Sequence, residues 1–303
     1  MEPSSSCKVR VRWRLYLSKA ALHENPLVPN KKLRQMYGAM AEARALDEHI
    51  ARMQKGVKAR RRIESTHGQE ACRVSTAIDL QPGDLVSDSQ AGVMMDLLSK
   101  AKVDSLLKRV ADFNSGKMDE AALSRDGASG RQLPWVDDAV DRLKMAMGAA
   151  LSFKTLKREN VVVAYVRSGE LAKWQWRQVL ELVSKLDLPM IIVVLPVKAE
   201  KKKGSMTSLS SKARSWGLPG ILVDASDAVA LYRVAQESLG RTRMGGGPVL
   251  IECMAYKTEG AKDDSLDDPL LQMKNFLLGR RVCTEAWLQN TGDSLRRRLS
   301  PAK

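Results

Sequence analysis

Four short runs of aliphatic and β-branched residues, spaced by stretches of helical periodicity, constrain this chain more than any other feature. They are Val161 to Val166, Met190 to Val197, Ile221 to Val223 and Pro248 to Met254. None approaches the ~20 residues that a membrane-spanning helix needs. Within each run the apolar residues are consecutive rather than alternating, which is the pattern of a strand buried on both faces. Helical segments lie between them, at about Trp174 to Leu186, 208 to 216 and 227 to 243, and an Ala-rich segment from Val136 to Lys157 precedes the first. Alternation of this kind, joined by right-handed crossovers, predicts an α/β fold: a parallel sheet with helices on both faces. Ligands of such sheets bind at the carboxyl ends of the strands. Four loops therefore carry the functional question: Arg167 to Glu170, Pro196 to Lys203, Asp224 to Asp227 and Tyr256 to Asp268.

The amino-terminal half is organised differently. Residues 1–30 hold Pro3, Ser4 to Ser6, Pro26 and Pro29, and read as an arm; residues 31–303 read as a single α/β domain. From Lys32 to Lys55, Leu33, Met36, Tyr37, Met40, Ala43, Leu46, Ile50 and Met53 recur every three or four residues, which predicts an amphipathic helix. Ser65 or Thr66 is the expected N-cap of a second helix that stops near Gln81-Pro82-Gly83-Asp84. Met94 to Phe113 reads as one further helix, and 124–130 as a loop.

Fifty Lys and Arg against 35 Asp and Glu leave a net charge of +15. Such a surface attracts polyanions, so an acidic or phosphorylated ligand is an expected partner. The densest basic runs, Lys58 with Arg60 to Arg62, Lys201 to Lys203 and Arg296 to Arg298, come without a zinc-finger or RNA-recognition signature. A basic nucleic-acid or acidic-protein binding module is accordingly the weaker of the functional readings. Cys7, Cys72, Cys253 and Cys283 form no CxxC pair, so no metal site is expected and the thiols read as reduced, in a cytoplasmic protein with no membrane association. His23, His49 and His67 are the only histidines, and little acid–base chemistry near neutral pH is available from them.

A collinear set of motifs adds a resemblance. Ala45-Leu46-Asp47-Glu48, Ser65 to Ala71 (STHGQEA), Gln81 to Asp84 (QPGD), Met145 to Ala150 (MAMGAA), and then 161–165, 186–194, 216–227 and 245–257 resemble the alpha subunits of thiamin-diphosphate-dependent 2-oxoacid dehydrogenases, the decarboxylating first component of those complexes. The likeness runs from about Asn30 to Leu288. It implies the thiamin-diphosphate-binding fold, an assembly of two alpha and two beta subunits, and a cofactor shared between an alpha and a beta chain.

The resemblance also locates where this chain departs from the family. A Gly-Asp-Gly whose aspartate binds magnesium is here Arg167-Ser168-Gly169; the asparagine of the next strand end falls on Val197, a carbonyl ligand on Ala199, and the histidine of the last loop on Ala261. A Tyr-Arg pair that contacts diphosphate falls near Gln90 and Ala91. A guanidinium about 5 Å from a divalent cation is repelled by roughly 6 to 7 kcal/mol at an effective dielectric near 20. These departures predict no bound cofactor where the family has thiamin diphosphate and magnesium, and no catalytic residue in this chain: a pseudoenzyme, a degenerate alpha-subunit-like protein serving as an assembly or regulatory partner, in a homo-oligomer or with a beta-subunit-like chain. The alternative is an active decarboxylating dehydrogenase subunit with an altered site. Arg167 with Lys198, Lys201, Lys202 and Lys203 is a candidate anion site, against the reading of a solvated loop, with Asp263, Asp264, Asp267 and Asp268 as possible counter-charges. Trp174 and Trp176 are expected either to fill the space of the thiazolium ring or to pack in the core.

Overall fold

Alternate residues of a buried strand face opposite sides of the sheet, and here they divide the core into two layers. The computed structural model describes residues 27–125, 130–196, 208–255 and 268–299. Its sheet has five parallel strands, β1 (Leu85–Ser87), β2 (Val162–Arg167), β3 (Met190–Leu195), β4 (Gly220–Asp224) and β5 (Val249–Met254), in the order β1-β2-β3-β5-β4. Val163, Tyr165, Ile191, Val193 and Ile251 pack into one layer; Val162, Ala164, Val166, Ile192, Val194 and Leu250 pack into the other. The second layer is covered by α6 (Ala139–Thr155), α7 (Lys173–Lys185) and α8 (Leu209–Ser215). The first is covered by α1 (Asn30–Met53), α2 (Glu70–Ala77), α3 (Met94–Leu98), α4 (Val103–Ser115), α5 (Glu120–Arg125), α9 (Ala228–Arg243), α10 (Pro269–Gly279) and α11 (Glu285–Leu299). The expected α/β fold with helices on both faces is what forms.

Local chemistry sets the element boundaries. Asp138 caps α6 through the amide of Asp141, and Asp227 caps α9 through the amides of Val229 and Ala230. Asp268 caps α10, where Pro269 takes the first helical position. The apolar face of α1 named from periodicity is buried at Leu33, Met36, Tyr37, Met40, Ala43, Leu46 and Ile50. Val28 is also fully buried, so packing begins just ahead of α1.

Several expectations need correction. The single helix over Met94 to Phe113 is two helices, because Lys100 adopts a left-handed φ of 66° between α3 and α4. The helix expected to start from Ser65 or Thr66 starts at Glu70, and its cap position, Gln69, makes no side-chain capping bond. β1, only three residues long, was not anticipated from the sequence, nor were α10 and α11. A three-residue strand carries too little periodicity to recognise without its partner. No helix among the described residues is long and apolar enough to cross a membrane.

Candidate functional site

The carboxyl end of β2 continues directly into a tight turn. The amide of Ser168 donates to the carbonyl of Leu195 at 2.8 Å, carrying the sheet ladder one residue further. The amide of Glu170 then returns to the carbonyl of Arg167 at 3.1 Å, and Gly169 supplies the left-handed φ of 92° that the turn requires. This fold-back brings the carboxylate of Glu170 against its own neighbours. It accepts from the Arg167 amide at 2.8 Å and from the Arg167 guanidinium at 3.2 and 3.3 Å. Arg142, reaching up from α6 with a side chain only 3% exposed, donates to the same carboxylate at 2.7 Å. Arg142 also donates to the carbonyls of Val136 and Asp137 at 2.8 and 2.7 Å, so its direction is fixed. On its outer side Arg167 pairs with Glu64, on the segment that leads to α2. The strand end thus carries an alternating chain of charge, Arg142, Glu170, Arg167, Glu64.

Glu64 is held there by a frame built from motifs far apart in sequence. Asp47 of α1 accepts from the Ser65 hydroxyl at 2.6 Å and from the Thr66 amide at 3.0 Å. The Gln90 side chain donates to the carbonyl of Glu64 at 2.9 Å. Arg44, one turn before Asp47, pairs with buried Glu70 and makes two bonds to Asp268, at 2.9 and 3.0 Å. Burial works to lower the Arg44 pKa, but its hydrogen bonds to Glu70 and Asp268 outweigh this and raise it further above the arginine range. The serine and threonine of STHGQEA therefore serve the aspartate of the ALDE motif rather than capping a helix.

A second buried cluster lies nearby. Arg73 of α2, 1% exposed, donates to both carboxylate oxygens of Asp88 at 2.8 and 2.9 Å and stacks 5.3 Å from the centre of the Tyr165 ring. The Tyr165 hydroxyl meets the Thr76 hydroxyl at 2.7 Å. Burial pushes the Tyr165 phenol well above its ordinary pKa of 10.0, so it stays protonated. At the opposite end of the sheet, Asp84 of QPGD is fully buried, binds the Val161 amide at 3.1 Å and pairs with Arg243 of α9. That motif is a structural clamp.

The remaining sequence-derived candidates are scattered. Arg167, Ser168 and Gly169 lie together at the strand end, where the Arg167 guanidinium engages two carboxylates, Glu64 and Glu170. Val197, Lys198, Ala199, Lys201, Lys202, Lys203 and Ala261 lie outside the described residues, as do Asp263, Asp264 and Asp267. Asp268, a possible counter-charge for the lysines, is held by Arg44. Trp176 is buried in the layer formed by α6 and α7, which is the core reading, whereas Trp174 is 63% exposed. His67 is exposed in a turn, and His49 has its pKa lowered, first by burial and then by Arg52. Sequence reasoning missed Arg142, Glu64, Arg73 and Asp88. Arg142 sits within a helix and carried no local signal, because only the turn after β2 gives it a partner.

A parallel sheet with charged groups gathered at the carboxyl end of a central strand defines an α/β protein of the class that binds ligands there. The particular family follows from comparison: the pattern of the dehydrogenase E1 component matches residues 37–275, and the chain belongs to that family. It is 23% identical over 275 residues to the alpha subunit of acetoin:2,6-dichlorophenolindophenol oxidoreductase from Bacillus subtilis, covering 80% of both chains. It is 23% identical over 278 residues to the pyruvate dehydrogenase E1 component subunit alpha of Mycoplasma genitalium, covering 85% of this chain and 75% of that one. A shorter stretch of 132 residues, 41% of this chain and 35% of the relative, is 30% identical to the 3-methyl-2-oxobutanoate dehydrogenase subunit alpha of Mycobacterium tuberculosis.

The family match corrects the expectation that the chain has no cofactor: it places the chain among thiamin-diphosphate-dependent subunits. The described donors at the strand end nevertheless differ from the pattern that the resemblance implies. Magnesium takes near-octahedral oxygen ligands. Here Glu64 and Glu170 converge, but the Arg167 guanidinium stands between them. As arranged, these side chains do not fit a magnesium ion.

Proposed function

We propose that this chain acts as an assembly or regulatory subunit of a 2-oxoacid dehydrogenase type complex, together with a beta-subunit-like chain, and that the catalysis of that complex is not carried by residues of this chain. The observation behind this reading is Arg167, held by Glu64 and Glu170 beside the position where the resemblance expects the metal-binding aspartate. Subunit packing is supported by the outer face of α6, where Gly148 has open space above it and Leu151 is 43% exposed. A second reading, an active alpha subunit with an altered site, is favoured by one fact: the relatives matched over most of their length are themselves named as subunits of oxidoreductases and dehydrogenases.

Co-expression with a beta-subunit-like chain separates the readings. A stable hetero-oligomer by analytical ultracentrifugation is expected. With thiamin diphosphate and magnesium supplied, that complex is expected to give no 2-oxo acid-dependent reduction of an artificial dye. Turnover in proportion to the complex overturns the proposal in favour of the active subunit, and two chains that sediment separately overturn the assembly role itself.

A further inference from the structure

We propose that the groove between the start of α7 and the end of α8 binds an acidic peptide segment carrying a large apolar side chain. The groove encloses about 560 Å³ and is lined by Lys173, Trp174, Arg177, Lys212, Ser215 and Trp216. Its two indoles are the large aromatic groups at this surface of the layer. Trp174 lies 63% exposed, and Trp216 only partly packs against the core beneath. Indole in water is unfavourable, and a large aromatic kept at the surface beside cations is the composition of an interface anchor site. Among the described residues neither Lys173 nor Lys212 forms an ion pair, whereas Arg177 is matched by Glu181 one turn away.

The geometry selects a peptide over the other polyanions that a +15 chain attracts. A single-stranded nucleic acid needs a track of cations that follows successive phosphates, with aromatics spaced for successive bases. Three cations surrounding one apolar slot offer no such track. They suit one apolar side chain inserted between the indoles, with carboxylates on either side meeting Lys173 and Lys212. The proposal is independent of the catalytic state of the chain, since the groove uses neither Arg167 nor Glu170.

The test is fluorescence anisotropy on the full-length chain, with a labelled peptide of glutamates flanking a central leucine–phenylalanine pair. Saturable binding is expected. It should be lost when lysines replace the glutamates or alanines replace the apolar pair. Trp174→Ala, at an exposed position where folding is not at stake, should weaken it at least about tenfold. The double change Lys173→Glu with Lys212→Glu should do the same, and Arg280→Glu, a charge change on a remote exposed residue, should leave it unaltered. An unsaturable signal, binding retained by Trp174→Ala, an equal loss in Arg280→Glu, or tighter binding of a labelled oligothymidylate would each overturn the proposal.

Discussion

Glu64 and Glu170 grip the same guanidinium, yet the structure predicts very different costs for neutralising them. Glu64 is 61% exposed and Arg167 33% exposed, so their pairing is a surface contact worth at most about 1 kcal/mol. Glu170 is 15% exposed, and its other partner, Arg142, is 3% exposed. Glu170→Gln removes the only carboxylate paired with Arg142 among the described residues and leaves a buried guanidinium on carbonyl acceptors. Removing one partner of a buried pair costs about 3 to 5 kcal/mol, and the residual exposure of Glu170 places this case near 3 kcal/mol. Equilibrium urea unfolding followed by circular dichroism measures both. Glu170→Gln should lower the midpoint clearly, while Glu64→Gln should shift it little and lose even that at high salt. Arg142→Met combined with Glu170→Gln should recover part of the loss, because the stranded charge is then gone. Equal costs for the two single changes, or a Glu170→Gln cost under about 1 kcal/mol, would refute the account of the site as an ion-pair chain anchored from below by Arg142.

Two further outcomes follow from the frame around the site. Asp84→Ala leaves Arg243, 13% exposed, with the Glu159 carbonyl and strips the buried Val161 amide of its acceptor, and should cost about 3 kcal/mol, read as a fall in thermal midpoint of roughly 2 to 4 °C per kcal/mol. For Asp268, burial works to raise the pKa, but the Arg44 hydrogen bond and charge, with the amides of Leu271 and Leu270, outweigh it and hold it below the ordinary 3.8. Its contribution is therefore fully present above that ordinary value and is lost as pH falls through the lower folded value; Asp268→Asn should flatten the stability curve in that acid window, and an unchanged slope would argue against the pair.

The local pattern of the sequence was enough for the strands β2 to β5, the helices between them and the two-faced burial of the sheet. The reason is physical: a strand covered on both sides must be apolar at consecutive positions, and that signal needs no knowledge of neighbours. The same holds for Gly169, since only a left-handed turn lets the chain reverse so tightly after β2. Tertiary structure decided what the polar residues do. Ser65 and Thr66 had the chemistry of a helix cap, but Asp47, 18 residues earlier, offered a better-placed acceptor. Asp268 had the chemistry of a partner for lysine, but Arg44 stands 224 residues away in sequence and 2.9 Å away in space. Arg142 had no sequence signal at all, and becomes part of the site because α6 packs beneath the turn that folds Glu170 back. Apolar burial is read from a residue's own neighbours in the chain; the pairing of charges depends on which distant elements the fold brings within hydrogen-bonding distance.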